Sequence, residues 1–229
     1  MRSQLRRLGI EVSRWPPRKS DDVLFAKRVR ELEIDTVLDV GAHEGEWALG
    51  LRRLGFAGRI ISYEPGSAAY GRLQAAAAED PMWEARHVAV GRQRGTASLQ
   101  VRRNTMMSSL RSVVSVPESH RGQAGVAKTE TVEVIALDDE WPGGRVLLKI
   151  DTQGSDLEVI TGCRDRMTDV ALLQIELAVR PTYEGQPDYI TALAHVRALG
   201  FEPVALTPIW WDDDGRILEA DCVLIRKDG

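Results

Sequence analysis

The hydrophobic positions of this chain switch repeatedly between two periods. Asp21 and Asp22 are suited to cap a helix in which Val23, Leu24, Ala26, Val29 and Leu32 recur at helical spacing. Ile34 to Val40 is then a β-branched apolar run, which predicts a buried strand ending at Gly41. Helical spacing returns from Gly45 to Leu54 and stops at Gly55. A second strand is predicted from Arg59 to Tyr63, an alanine-rich helix from Ser67 to Ala78, and a third strand from Ala85 to Val90.

This alternation with short links predicts an α/β fold whose parallel sheet is covered on both faces. Between Gly95 and Leu137 the pattern changes to two strand-like stretches, Thr96 to Val101 and Thr131 to Leu137, forming a β-hairpin insertion. They flank a polar, serine-rich loop from Asn104 to Gly125, and a loop of that length inside a compact domain is usually functional. Alternation resumes with a strand from Arg145 to Ile150, a helix from Ser155, a strand from Val170 to Leu177 and a helix from Tyr189 to Leu199. Two closing strands, Phe201 to Thr207 and Ala220 to Arg226, surround the turn Asp212-Asp213-Asp214-Gly215 and form an antiparallel C-terminal hairpin. With no repeat or linker in view, the expected organisation is an N-terminal arm and helix start over residues 1–30 and one domain over 31–229.

Composition narrows the classes. The formal charge of −4 gives no overall pull toward nucleic acid or anionic membrane. Apolar runs are only strand-sized, so no integral membrane segment is expected. Cys163 and Cys222 have no CxxC spacing and no histidine nearby, which fits two reduced thiols in a cytoplasmic protein. The basic residues Arg2, Arg6, Arg7, Arg14, Arg18 and Lys19 read as a solvated arm, with no apolar stretch of a secretion signal.

The chemistry concentrates in Val37-Leu38-Asp39-Val40-Gly41-Ala42-His43-Glu44-Gly45. A buried strand ends in an acid, and a turn bounded by Gly41 and Gly45 opens a helix, leaving space for a ligand beside the backbone. The G-x-x-x-G spacing is neither the G-x-G-x-x-G of a dinucleotide site nor a P-loop. A cofactor without phosphates suits it, and S-adenosyl-L-methionine has a zwitterionic tail and a cationic sulfonium. Glu64, followed by Pro65, lies nineteen positions after Gly45 at the end of the next strand, where an acid accepts hydrogen bonds from ribose hydroxyls. Ala42 and His43 in the turn, Ala89 in the third strand, Ser108 in the long loop and Asp151 at a later strand end complete the expected cofactor contacts.

The chain resembles the FkbM family of S-adenosylmethionine-dependent methyltransferases across nearly all of residues 30–227. Besides the glycine turn and Tyr63-Glu64-Pro65, the matching motifs are Ser108-Ser109-Leu110 and Leu137-Asp138-Asp139. Leu148-Lys149-Ile150-Asp151-Thr152-Gln153-Gly154-Ser155-Asp156 is the most specific of them, and Gln174-Ile175-Glu176 with Tyr183-Glu184-Gly185 completes the set. The resemblance implies a class I methyltransferase (Rossmann-like) fold and O-methylation of sugars, glycolipids or polyketides. His43 departs from it, since the family usually has Asn there.

For methyl transfer to a hydroxyl, Asp151 at a strand end is the expected residue to orient the acceptor and take its proton. Glu176 ends the next strand, and His120 in the long loop is a further candidate base. Asp151, Glu176 and Asp139 together would offer oxygen ligands to magnesium. His87 and His195 read as structural, and Trp210-Trp211 as hairpin packing or as a platform for a sugar. The expected partner is a small-molecule or glycan acceptor, with a homo-oligomer left open. Three rival readings are weaker. A nicotinamide oxidoreductase lacks its third glycine, and a non-catalytic module should have lost the cofactor residues. A nucleic-acid methylase should show a basic stripe or an Asn/Asp-Pro-Pro-Tyr/Phe motif.

Overall fold

The computed structural model describes residues 21–227, so the basic arm expected before Asp21 lies outside the described residues. Helix α1 (Asp21–Glu31) carries Asp21 and Asp22 in its first turn, where negative charge suits the helix dipole. The central sheet begins with β1 (Thr36–Val40), buried at every position as the apolar run requires. It continues through α2 (Glu46–Arg53), β2 (Arg59–Tyr63), α3 (Ser67–Ala77) and β3 (Trp83–Arg86).

The expected third strand from Ala85 to Val90 divides. Its first part belongs to β3, while Ala89–Val90 forms β4 and leaves for a second sheet. There β4 runs parallel to β6 (Val126–Ile135), which pairs antiparallel with β5 (Gly95–Arg102) around a small core of Ala89, Leu99, Val101, Val132 and Val134. This is the insertion that the sequence predicts. Its long loop carries two short 3-10 turns, Thr105–Met107 and Glu118–His120, and is tied down by isolated bridges Gln100↔Ser109 and Val113↔Tyr183.

The main sheet resumes with β7 (Val146–Ile150), then α4 (Asp156–Thr161), β8 (Val170–Ala178), α5 (Tyr189–Ala198), β9 (Phe201–Trp211) and β10 (Ile217–Arg226). Its order is β3-β2-β1-β7-β8-β10-β9. All neighbours are parallel except β10, which runs antiparallel between β8 and β9. Strand β9 extends beyond the expected Thr207 because it lies at the sheet's edge, where Pro203 and Pro208 are tolerated. Apolar residues fill both faces of the sheet, with Leu38, Leu148 and Ile175 in one cluster and Val37, Leu147 and Leu172 in the other. No helix among the described residues is long and apolar enough to cross a membrane.

From β1 the chain winds one way to β2 and β3, and later the other way from β7 to β8. The crevice at such a reversal, outside the C-terminal strand ends, is where open α/β sheets hold ligands. Here it lies between Gly41 and Asp151.

Candidate active site

A cavity of about 360 Å³ opens there. Gly41, His43, Glu64 and Pro65 wall one part, and Asp151, Glu176 and Glu219 wall another. Val88, Ala89, Leu99 and Leu110 give it an apolar side, and loop residues Thr105, Ser108 and His120 close over it.

Glu64 is buried at the end of β2. Its Oε2 accepts from the His43 backbone amide at 2.9 Å and its Oε1 from that of Gly66 at 2.7 Å. One carboxyl therefore joins the turns that follow β1 and β2. Burial pushes its pKa up to about 7, against the pull of those amides and of Lys149. His43 has a positive φ of 50°, and its Nε2 lies 2.9 Å from Thr105 Oγ1, linking the glycine turn to the loop above.

The two glycines serve a different purpose from the expected one. A Cβ on Gly41, whose φ is +75°, would stand 1.8 Å from the Asp151 carbonyl oxygen. On Gly45 it would press against Trp83 and Leu73 at 2.9–3.0 Å. The glycines admit protein, not ligand, to their Cβ positions. Asp39, Ala42 and Gly45, expected at the cofactor, are buried and are not among the residues that line the cavity. Asp39 is fully buried, with its Oδ1 3.0 Å from Lys149 Nζ and its Oδ2 accepting from Ser62 Oγ at 2.9 Å. Lys149 Nζ also donates to the Gly41 carbonyl at 2.8 Å. Burial alone would depress Lys149, but Asp39 and Asp151 raise it above the ordinary lysine value. Asp39 thus positions the turn from beneath.

Asp151 follows β7 and is half-exposed. Its Oδ1 accepts from Gln153 Nε2 at 2.8 Å. Gln153 has a φ of +55°, and its Oε1 lies 2.6 Å from the Tyr183 hydroxyl. Ser109 Oγ donates to the Gln153 carbonyl at 2.7 Å, while Ser108 Oγ accepts from the Arg102 amide at 3.2 Å. Hence Ser108-Ser109 fastens the loop to the strand ends. Glu176 reaches the same cavity from β8, and His120 stands edge-on to Trp210 with ring centroids 5.2 Å apart.

The three carboxylates expected at magnesium are not brought together, since Asp151 and Glu176 share the cavity and Asp139 does not. Asp139 sits in the 3-10 turn Leu137–Glu140, paired with Arg94 at 3.9 Å and Arg164 at 3.7 Å, and borders a separate surface hollow. Among the described residues, no group of three or more His, Cys, Asp or Glu is arranged to hold a metal ion. Asp156, in the first turn of α4, accepts from the Thr152 amide and hydroxyl at 3.0 and 3.1 Å and shapes the turn after β7.

Lys149 and Gln153 belong to motifs that by themselves assign them no role, and Glu219 belongs to none. A lysine within the otherwise apolar Val146-Leu147-Leu148-Lys149-Ile150 was a legible signal, because a buried charge needs a partner. Glu219 offered none, since only the pairing of β10 with β8 brings it to the cavity.

Among curated proteins, none matches this chain. Among solved structures, a methyltransferase FkbM from Methylobacillus flagellatus KT superposes with a TM-score of 0.55 at 15% identity, covering 84% of this chain and 44% of that one. This chain therefore spans less than half the length of that protein. An rRNA methylase from Streptococcus thermophilus gives a TM-score of 0.49 at 11% identity, covering 92% and 98% of the two chains. A magnesium protoporphyrin IX methyltransferase from Synechocystis PCC 6803, with bound SAM, gives 0.47 at 11%, covering 98% and 90%. The family model described as the methyltransferase FkbM domain matches residues 39–203, from the buried Asp39 past the cavity residues Glu64, Asp151 and Glu176 to the start of β9. By the extent of that match, the chain belongs to the FkbM family of methyltransferases.

Proposed function

We propose that this chain is an S-adenosyl-L-methionine-dependent O-methyltransferase acting on a hydroxyl of a sugar, glycolipid or other natural product. The observation that carries the reading is Glu64, whose two carboxylate oxygens are fixed by the His43 and Gly66 amides at the cavity wall. Each oxygen keeps a lone pair for a ribose hydroxyl, and the neighbouring Val88, Ala89, Leu99 and Leu110 suit a flat apolar base. The residues present therefore fit an adenosyl donor. When bound, S-adenosyl-L-methionine supplies an electrophilic methyl group on a positively charged sulfur.

Asp151 orients the acceptor hydroxyl and takes its proton as the oxygen–methyl bond forms. Gln153 donates to its Oδ1 and Lys149 Nζ lies 3.9 Å from its Oδ2, and Glu176 and His120 are further bases within the same walls. Ile209 and Trp210 give the cavity an apolar border on which a sugar face would rest. Free, buried Cys163 and Cys222 agree with a reducing, cytoplasmic setting.

The test is a calorimetric titration with S-adenosyl-L-methionine and, separately, NAD. Binding of the first alone, lost in Glu64→Ala, is the expected result. Binding of NAD instead, or of neither, would sink the reading. A screen of hydroxylated glycans with the methyl donor then decides the acceptor.

A further inference from the structure

Beyond Asp151 the cavity meets carboxyls for which the adenosine contacts give no reason. Glu176 on β8 and Glu219 on β10 both line it. Glu176 is 9% exposed, and its Oε1 has no hydrogen-bond partner among the described residues. In the β8–β10 ladder Asp221 stands opposite Glu176 and Glu219 opposite Ala178, so alternation brings all three acids to one face of the sheet. Asp151, just after β7, and Asp156 in α4 add their negative charge to Glu176 and Glu219. Glu219 Oε1 accepts from Thr182 Oγ1 at 3.3 Å, and Asp221 Oδ2 accepts from Gln174 Nε2 at 3.5 Å.

Lys149, a cation beside them, is already engaged by Asp39 and the Gly41 carbonyl and lies 3.9 Å from Asp151 Oδ2. Burial first, and repulsion from Asp151 and the other acids second, raise Glu176 well above the ordinary carboxylate range. The same causes push Glu219 up to about 7 and Asp221 to about 6, with Lys149 pulling Asp221 back. Asp156 is raised to about 6, again by burial before its neighbours. Buried acids that repel one another around a cavity are relieved by a cation entering it.

Strand order gives the direction. Glu64 and the apolar wall lie on the β2 and β4 side, and the acids lie across β7, β8 and β10. We propose that Glu176 and Glu219 form a cation subsite, which holds a sulfonium donor in preference to its neutral thioether product. The inference rests on the adenosyl-donor reading and adds a device for product release. Once the methyl group has left, the positive charge is gone, the carboxyls regain their proton and the grip on the product weakens.

The experiment is calorimetry with S-adenosyl-L-methionine and S-adenosyl-L-homocysteine near neutral pH, in two buffers of different ionisation enthalpy. The native chain is compared with Glu176→Gln/Glu219→Gln. The expected result is proton release on binding the sulfonium and not the thioether. The ratio of the two affinities should also fall about tenfold in the double variant, mainly through the sulfonium. An unchanged ratio, an equal loss of both ligands, or equal proton release in the native chain would overturn the proposal. If the native chain binds the thioether but neither preference nor proton release appears, only the cation subsite fails. If it binds neither ligand, the donor reading fails with it.

Discussion

Lys149 Nζ stands 3.0 Å from Asp39 Oδ1, and the two residues are register partners on the adjacent strands β7 and β1. Both side chains are buried, so each charge depends on the other and on the Gly41 carbonyl and Ser62 hydroxyl beside them. Lys149→Met leaves Asp39 as a lone buried anion and should cost about 3–5 kcal/mol of stability. Urea unfolding is the check. The double variant Asp39→Asn/Lys149→Met should recover much of the loss, and a double as unstable as the single would refute the pairing argument.

Gly41 and Gly71 should answer alanine with opposite signs. At Gly41 the new methyl meets the Asp151 backbone at 1.8 Å in a left-handed conformation, so Gly41→Ala should prevent folding or cost more than about 4 kcal/mol. Gly71 lies within α3 with open space around it, and Gly71→Ala should add about 0.5–1 kcal/mol. Thermal melts of both variants decide the matter. Comparable stability for the two would mean that the β1 turn and β7 do not approach as described.

These two cases also show what the sequence alone reveals. The glycine turn, Glu64, Asp151 and the strand alternation were legible because each is a local signal: a breaker after an apolar run, or an acid at its end. The strand from Ala85 to Val90 misled because the break at His87-Val88 is a change of sheet, which periodicity does not register. The reason for Gly41 was hidden for a similar cause, since its crowding neighbour is more than a hundred residues away along the chain. Glu219 and Asp139 make the same point in opposite directions. Tertiary pairing brings the first to the cavity and takes the second away from it.

The raised carboxyls set the pH dependence of stability in the ligand-free protein. Glu64 and Glu219 are pushed up to about 7, and Asp156 and Asp221 to about 6, with burial the first cause in each. Above the ordinary carboxylate range and up to those values the folded state holds more protons than the unfolded chain. That stabilisation is complete below the unfolded values and is lost as pH rises through the folded ones. Tm should therefore fall between about pH 5 and about pH 8. Glu130, held down to about 2 despite its burial by Lys128 and Ser67, acts only below that window. Scanning calorimetry across the range is the measurement, and Glu219→Gln should flatten the slope. A Tm that climbs with pH there would contradict the burial of these groups.

Tyr183 offers a test of how Asp151 is held. Its hydroxyl lies 2.6 Å from Gln153 Oε1 and 3.2 Å from the Met107 carbonyl, and Gln153 in turn donates to Asp151. The ring is almost wholly buried, so water would not readily replace the lost hydroxyl in Tyr183→Phe. With the Gln153 acceptor left unpaired, stability should drop by about 1–3 kcal/mol. The same change removes a tie between the loop at Met107 and the turn after β7, so amide exchange should quicken from Thr105 to Leu110 and remain unaltered in α5. Loss of stability without faster exchange in that loop would assign its anchoring to Ser109 and the Val113↔Tyr183 bridge, and leave Tyr183 the single task of orienting Gln153.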